Sequence, residues 1–296
     1  MQKILLLGKD GQLGWALQRP LALRGELVAH GRASCDLGEA QALRAAIRAA
    51  APDVIVNAAA YTAVDRAESE RDLCFRINAE APRVIAEEAA RANARLIHYS
   101  TDYVYDGAKT GAYVEADAPN PLGVYGASKL AGDSAVLAAG GHCLILRVSW
   151  VYGRTGNNFA RTMLRLAAER DELKVVDDQI GAPTSVELIA EVTARWIDRW
   201  QEGGEGGNGV YHLAPRGHTS WHGYAVELIN EAARRGMKLK AGAGRIRPIA
   251  ARDYPVAAAR PANSVLDCAR ILAELPICLP DWRDDVRRFA AEMTGR

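Results

Sequence analysis

The sequence predicts an α/β protein in which a doubly wound parallel sheet is followed by a smaller C-terminal lobe. Three observations predict it. Short runs that are apolar throughout alternate with helix-length amphipathic segments across the first half of the 296 residues, the pattern of strands buried on both faces. A turn with glycines at Gly8, Gly11 and Gly14 joins the first apolar run to the first amphipathic segment. The second half is less regular, with a loop of five glycines between 203 and 209 and prolines at Pro248, Pro255, Pro261, Pro276 and Pro280.

In chain order, Lys3-Ile4-Leu5-Leu6-Leu7 reads as a buried strand and residues 12–24 as the helix after it. Residues 26–30 form a second strand, 39–50 a helix, and Asp53-Val54-Ile55-Val56 a third strand. A long helix over 74–92 leads to a fourth strand at 95–99, and a helix over 128–139 leads to a fifth at 143–148. Later helices are expected at 159–169, 187–200, 221–234 and 282–293, with a short strand at 210–213. Residues 1–150 are expected to bind a nucleotide cofactor, with later segments returning to that sheet. Residues 151–296 are expected to hold mainly the substrate.

Composition narrows the function. Hydrophobic residues make up 49%, charged residues 25%, and the formal net charge is +1. Such a balance supplies no field to recruit nucleic acid or an anionic membrane, so an anionic ligand must be caught by a local pocket. Five scattered cysteines without a C-x-x-C pair fit reduced thiols. The run Met1–Leu7 is too short for a signal-peptide core, and no stretch approaches a membrane span. The expectation is a soluble cytoplasmic protein.

The glycine turn sits where a Rossmann-type sheet binds a dinucleotide. Glycines there permit a tight turn and close approach to a pyrophosphate, whose charge the free N–H groups at the helix start can hold. After the second strand, an acidic residue would favour NADH by accepting from the ribose hydroxyls; the sequence has His30-Gly31-Arg32 instead. Arg32 can pair with a 2′-phosphate, which favours NADPH with NADH as the alternative. Asp36 can meet the adenine amine, and the alternative for Arg32 is a solvated surface arginine. Small residues in Asn57-Ala58-Ala59-Ala60-Tyr61-Thr62 let the backbone pass close to the cofactor.

Tyr125-Gly126-Ala127-Ser128-Lys129 carries the chemistry. At a spacing of four on a helix the phenol and the ammonium share a face. A tyrosine holds its proton to about pH 10, and a nearby Lys⁺ is expected to make it a better acid. Ser100 or Thr101, leaving the fourth strand, can hydrogen-bond the reacting carbonyl; the residues alone do not choose between them. His218-x-x-x-His222 has metal-like spacing but lacks a third ligand, and Trp196, Trp200, Trp221 and Trp282 read as core or interface.

At these motifs the chain resembles the extended short-chain dehydrogenase/reductase superfamily, and within it the dTDP-4-dehydrorhamnose reductase family. The resemblance runs through Gly8–Gly14, Pro52–Asp65, Ser100–Tyr105, Tyr125–Gly132, Arg147–Gly153, Asn157–Phe159, Asp178–Thr184 and Arg260–Asp267. It implies NAD(P)H-dependent reduction of the C4 ketone of a nucleotide-linked sugar. Tyr125 would be the proton donor, Lys129 its partner and Thr101 the group polarising the carbonyl. Thr101, Asp102 and Trp150 would line the sugar site. Gly11, Gln12 and Leu13 would touch the pyrophosphate, with Asp36, Leu37, Ala60, Tyr61, Thr62 and Tyr99 along the rest of the cofactor. It also implies a homodimer joined through Mg²⁺, with Glu187 and Glu292 at the matching places. Rival readings are an epimerase or dehydratase of the same fold, and a non-catalytic NADP-binding regulatory subunit. Asp102-Tyr103 lacks the acid–base pair a dehydratase needs, and the intact Tyr125/Lys129 pair argues against the regulatory subunit.

Overall fold

The computed structural model describes residues 1–295. Six strands form one parallel sheet: β1 (Lys3–Leu7), β2 (Glu26–His30), β3 (Val54–Asn57), β4 (Arg95–Thr101), β5 (Cys143–Val148) and β6 (Gly209–Leu213). Their spatial order is 2-1-3-4-5-6, so the chain reverses direction of winding between β1 and β3. Ligands of open α/β sheets bind outside the carboxyl ends of the strands at such a reversal.

Strand alternation builds two cores from one sequence. Ile4, Leu6, Val54, Val56, Ile97, Leu144 and Leu146 point to one face, where α1 (Gln12–Ala22) and α6 (Val186–Gln201) cover them. Leu5, Leu7, Ile55, Leu96 and Ile145 point to the other, under α2 (Ala40–Ala50), α3 (Ala81–Ala92) and α4 (Val124–Ala138). Each such aliphatic side chain contributes about 1.5–3 kcal/mol on burial. Arg24 of the first connection reaches Asp198 of α6 through two 2.7 Å hydrogen bonds, fixing α1 against the later helix.

A separate core is formed by Tyr152, Met163, Leu164, Tyr224, Leu228, Trp282 and Phe289. It joins α5 (Phe159–Glu169), α7 (Trp221–Arg234) and α8 (Trp282–Thr294), beside a parallel pair of short strands, Leu173–Val176 and Ile246–Ile249. The later chain also returns to the sheet, as α6 on one face and β6 at the edge beside β5.

Two boundaries differ by three residues or more from the sequence expectation. The helix expected over 74–92 starts at Arg71 and carries a π turn at Arg76–Glu80 before α3. That turn places Asn78, whose Oδ1 accepts from Tyr61 N at 2.8 Å and whose Nδ2 donates to Tyr61 O at 3.0 Å. The helix carrying Lys129 begins at Val124, not at 128. Its first N–H donates to Glu68 Oε1 at 2.9 Å, a cap from 56 residues upstream that local pattern does not reveal.

Candidate active site

The carboxyl ends of β1, β3 and β4 bring the predicted segments together. Gly8 follows β1 with φ +87°, and a Cβ there would lie 2.7 Å from Ala59 N after β3. A Cβ on Gly14 would fall 1.9 Å from Gly8 O. Only glycine closes this turn so tightly at both places. Gly11 caps α1 without a side-chain partner, leaving the first amides of the helix, Gln12 and Leu13 among them, free to meet an anion. Main chain stripped of Cβ atoms before an uncapped helix is the cradle a dinucleotide pyrophosphate fits. Gln12 offers such a ligand only its backbone, because its side chain is engaged elsewhere: Asn158 Nδ2 donates to Gln12 Oε1 at 2.7 Å and Gln12 Nε2 to Asn157 O at 3.3 Å.

At the adenosine end, Arg32 is 80% exposed and pairs loosely with Asp36, Nε to Oδ2 at 3.4 Å. Asp36 Oδ1 accepts from Gly38 N at 2.9 Å, and this bond with the Arg32 pair holds its carboxyl below the usual range. Leu37 is buried against the sheet. Past β3, Ala60 is half-buried and Thr62 exposed. Tyr61 is buried, its hydroxyl donating to Glu70 Oε2 at 2.5 Å and its backbone pinned by Asn78.

The catalytic candidates stand over the end of β4. Tyr125 lies beside Thr101, whose hydroxyl opposes the rise in the phenol's proton affinity. Thr101 Oγ1 donates to Asp102 Oδ1 at 3.0 Å and accepts from Tyr103 N at 3.2 Å. Ser100 Oγ is buried without a hydrogen-bond partner among the described residues and acts on the Asp133 carboxyl rather than on Tyr125, which sets it apart from Thr101. Burial pushes the Asp102 carboxyl up to about 6. The Tyr103 ring meets Tyr125 edge-on at 5.9 Å, and a narrow cleft beside them is lined by Glu68, Leu122, Gly123, Ala258 and Pro261. Arg260, on the segment crossing this cleft, holds Asp65 through bonds of 2.7 and 3.0 Å.

Lys129 is held by the main chain of β4. Its Nζ donates to Tyr99 O at 2.6 Å, and the residue is only 2% exposed. Burial pushes Tyr125 well above the ordinary tyrosine range; the Thr101 hydroxyl opposes this, and Asp102, Cys74 and Asp133 add to it. Tyr99 likewise offers the cleft only its carbonyl, because its ring is buried and its hydroxyl bonds Thr193 at 2.7 Å.

Several contributors were missed. Asp133, one turn beyond Lys129, pairs with Arg147 at 3.1 Å, their side chains 1% and 5% exposed. Arg147 also donates to Tyr105 Oη at 2.8 Å, and Tyr105 Oη lies 2.8 Å from His212 Nε2. The signal was present: Tyr125, Lys129 and Asp133 repeat every four residues, and Arg147 interrupts an otherwise apolar strand. Asn78 Nδ2 also donates to Ser128 Oγ at 3.1 Å, locking the helix of Tyr125 to the turn after β3.

Trp150 and the two glutamates all have neighbours within the chain. The Trp150 ring, 9% exposed, stacks on Trp221 at 3.6 Å, and a Cβ on Gly181 would fall 2.5 Å from it. Glu187 is pushed up by burial and by the charge of Glu292, while Glu292 lies 3.7 Å from Arg154. Among the described residues no group of three or more His, Cys, Asp or Glu side chains could hold a metal ion. His222 contacts Ile246 O at 3.0 Å and Asp177 at 3.6 Å, and His218 is exposed. The five cysteines are free thiols, and no helix is long and apolar enough to cross a membrane.

Comparison with known proteins agrees with this geometry. The family model described as the RmlD substrate binding domain matches residues 1–294. The dTDP-4-dehydrorhamnose reductase of Burkholderia thailandensis is 46% identical over 284 residues, 95% of each chain. That of Escherichia coli K12 is 44% identical over 294 residues, covering 98% of this chain and 97% of the relative. The crystal structure of dTDP-4-dehydrorhamnose reductase from Bacillus anthracis in complex with NADP superimposes with a TM-score of 0.89 at 33% identity, covering 98% and 99% of the two chains. A glycine cradle, a Tyr–Lys pair and these full-length matches lead to one conclusion: the chain belongs to the dTDP-4-dehydrorhamnose reductase family.

Proposed function

We propose that the protein reduces the C4 ketone of dTDP-4-dehydro-L-rhamnose to the alcohol, giving dTDP-L-rhamnose, with NADPH as donor and NADH as the alternative. The observation that carries this reading is the placing of Tyr125 against the segment Thr101–Tyr103 at the carboxyl end of β4, with Lys129 buried and bonded to that strand and the glycine cradle of β1 two strands away. When bound, the reduced nicotinamide supplies the hydride to C4. Thr101 and Tyr125 hydrogen-bond the carbonyl oxygen, and Tyr125 gives it the proton as charge develops there. Its high proton affinity keeps Tyr125 protonated at neutral pH. Lys129, released from Tyr99 O, is positioned to hold the nicotinamide ribose hydroxyls and to stabilise the phenolate left behind. Residues 1–150 would supply most of the cofactor site, and the later chain would close over the sugar nucleotide through the segment of Arg260. Magnesium has no part in this reading.

The test is to mix the protein with NADPH and freshly prepared dTDP-4-dehydro-L-rhamnose and follow the reduced-nicotinamide absorbance. Consumption of one NADPH per sugar is expected. No consumption with either reduced cofactor would overturn the reading.

A further inference from the structure

The ribose-reading carboxylate that the sequence lacks after β2 is supplied from the glycine turn. A Cβ on Gly31 would fall 1.7 Å from Asp10 Oδ2 and 2.8 Å from its Cγ, so the Asp10 carboxylate fills the volume a side chain at 31 would occupy. Both backbone segments are held in register: Gly8 N and Lys9 N donate to His30 O at 2.8 and 3.0 Å. Asp10 therefore belongs to the strand-end site, although it lies 21 residues before Gly31 in the chain.

The surrounding charges are already matched. Lys9 Nζ donates to Asp10 Oδ1 at 2.7 Å, and Arg32 leans to Asp36 at 3.4 Å. Asp36 has both oxygens engaged, by Gly38 N and by Arg32. Asp10 Oδ2 has no hydrogen-bond donor among the described residues and lies against the strand end. Two hydroxyls of a ribose find an open acceptor there, while a 2′-phosphate finds a carboxylate facing it and a single exposed cation, Arg32, shared with Asp36.

We propose that Asp10 is the specificity-determining residue at the adenosine ribose, accepting from the hydroxyls of NADH and opposing the 2′-phosphate of NADPH. The inference rests on the cofactor reading above and refines it: Arg32 attracts the phosphate, Asp10 repels it, and the balance keeps both cofactors usable.

Binding separates this from catalysis. Adenosine 2′,5′-bisphosphate and 5′-AMP are titrated calorimetrically into the unmodified protein and into Asp10→Asn, with NADPH and NADH affinities read by nicotinamide fluorescence. Asp10→Asn keeps the shape and removes the charge, and Asp10→Ser serves as a second variant; a thermal melt confirms that each is folded. The preference for the 2′-phosphorylated ligand is expected to rise about tenfold or more, as loss of a charge-assisted contact to one ligand and of repulsion toward the other implies. A ratio within threefold of the unmodified protein in both variants would overturn the role of Asp10 and leave the cofactor reading standing. Failure of the unmodified protein to bind either dinucleotide would overturn both.

Discussion

Lys129 hands its ammonium to the carbonyl of Tyr99, 2.6 Å away, rather than to Tyr125. The two share a helix face, yet the buried lysine is bonded to the end of β4. Asp133, one turn on, pairs with Arg147 and draws on the Lys129 charge, so the ammonium sits in a buried polar cluster.

Tyr125→Phe removes the proton donor and leaves the packing of the ring. Turnover should fall by about 10²–10⁴, because that proton is given in the transition state, while NADPH affinity stays near its original value. Steady-state kinetics with a fluorescence titration of cofactor checks both halves. Turnover within threefold of the unmodified enzyme would remove Tyr125 from the chemistry.

Burial pushes the Lys129 ammonium down to about 8, against the pull of Asp133. Its charge is thus lost as pH rises through that value, and kcat/KM for NADPH should decline above about pH 8. The titratable groups coupled to it are Asp133 on its own helix, Cys74 from the helix at Arg71–Phe75, and His98 from the sheet. For stability the sign is the reverse of a favourable pair: a lysine depressed in the folded state costs stability while charged. That cost is relieved as pH climbs from about 8 toward the ordinary lysine value. Asp133→Asn should move the alkaline limb to lower pH. It should also cost about 3–5 kcal/mol of stability by leaving Arg147 unpaired. A pH–rate profile unchanged in that variant would show that Asp133 does not act on Lys129.

Trp150→Ala should lower stability by about 3–5 kcal/mol, because it empties a site covered by Trp221 and Gly181. KM for the sugar nucleotide and for NADPH should then change together. A rise confined to the sugar nucleotide, with an unchanged melting temperature, would restore a direct contact role.

Arg32→Ala should reduce NADPH use by less than tenfold and leave NADH kinetics unchanged. An exposed arginine shared with Asp36 contributes little, about 0–1 kcal/mol. The ratio of kcat/KM for the two cofactors, before and after substitution, measures it.

What the sequence made legible was local or periodic. The strands β1 and β2, the helix at Phe159–Glu169 and the glycine turn follow from apolar runs, amphipathic spacing and the conformations glycine permits. The Tyr125/Lys129 pair was legible for the same reason. What stayed hidden depends on side chains far apart in the chain: Glu68 capping the helix of Tyr125, Asp10 filling the space over Gly31, Trp221 covering Trp150. Lys129 could be placed on the correct face but not assigned its partner, because Tyr99 O becomes available only once β4 and α4 are packed.

The most direct test of the account is a single-turnover reaction of the protein with dTDP-4-dehydro-L-rhamnose and NADPH carrying deuterium at the transferred position. The account predicts one deuterium at C4 of the product sugar, and loss of that product in Tyr125→Phe although the variant still binds NADPH. Unlabelled product, or undiminished product from Tyr125→Phe, would contradict it.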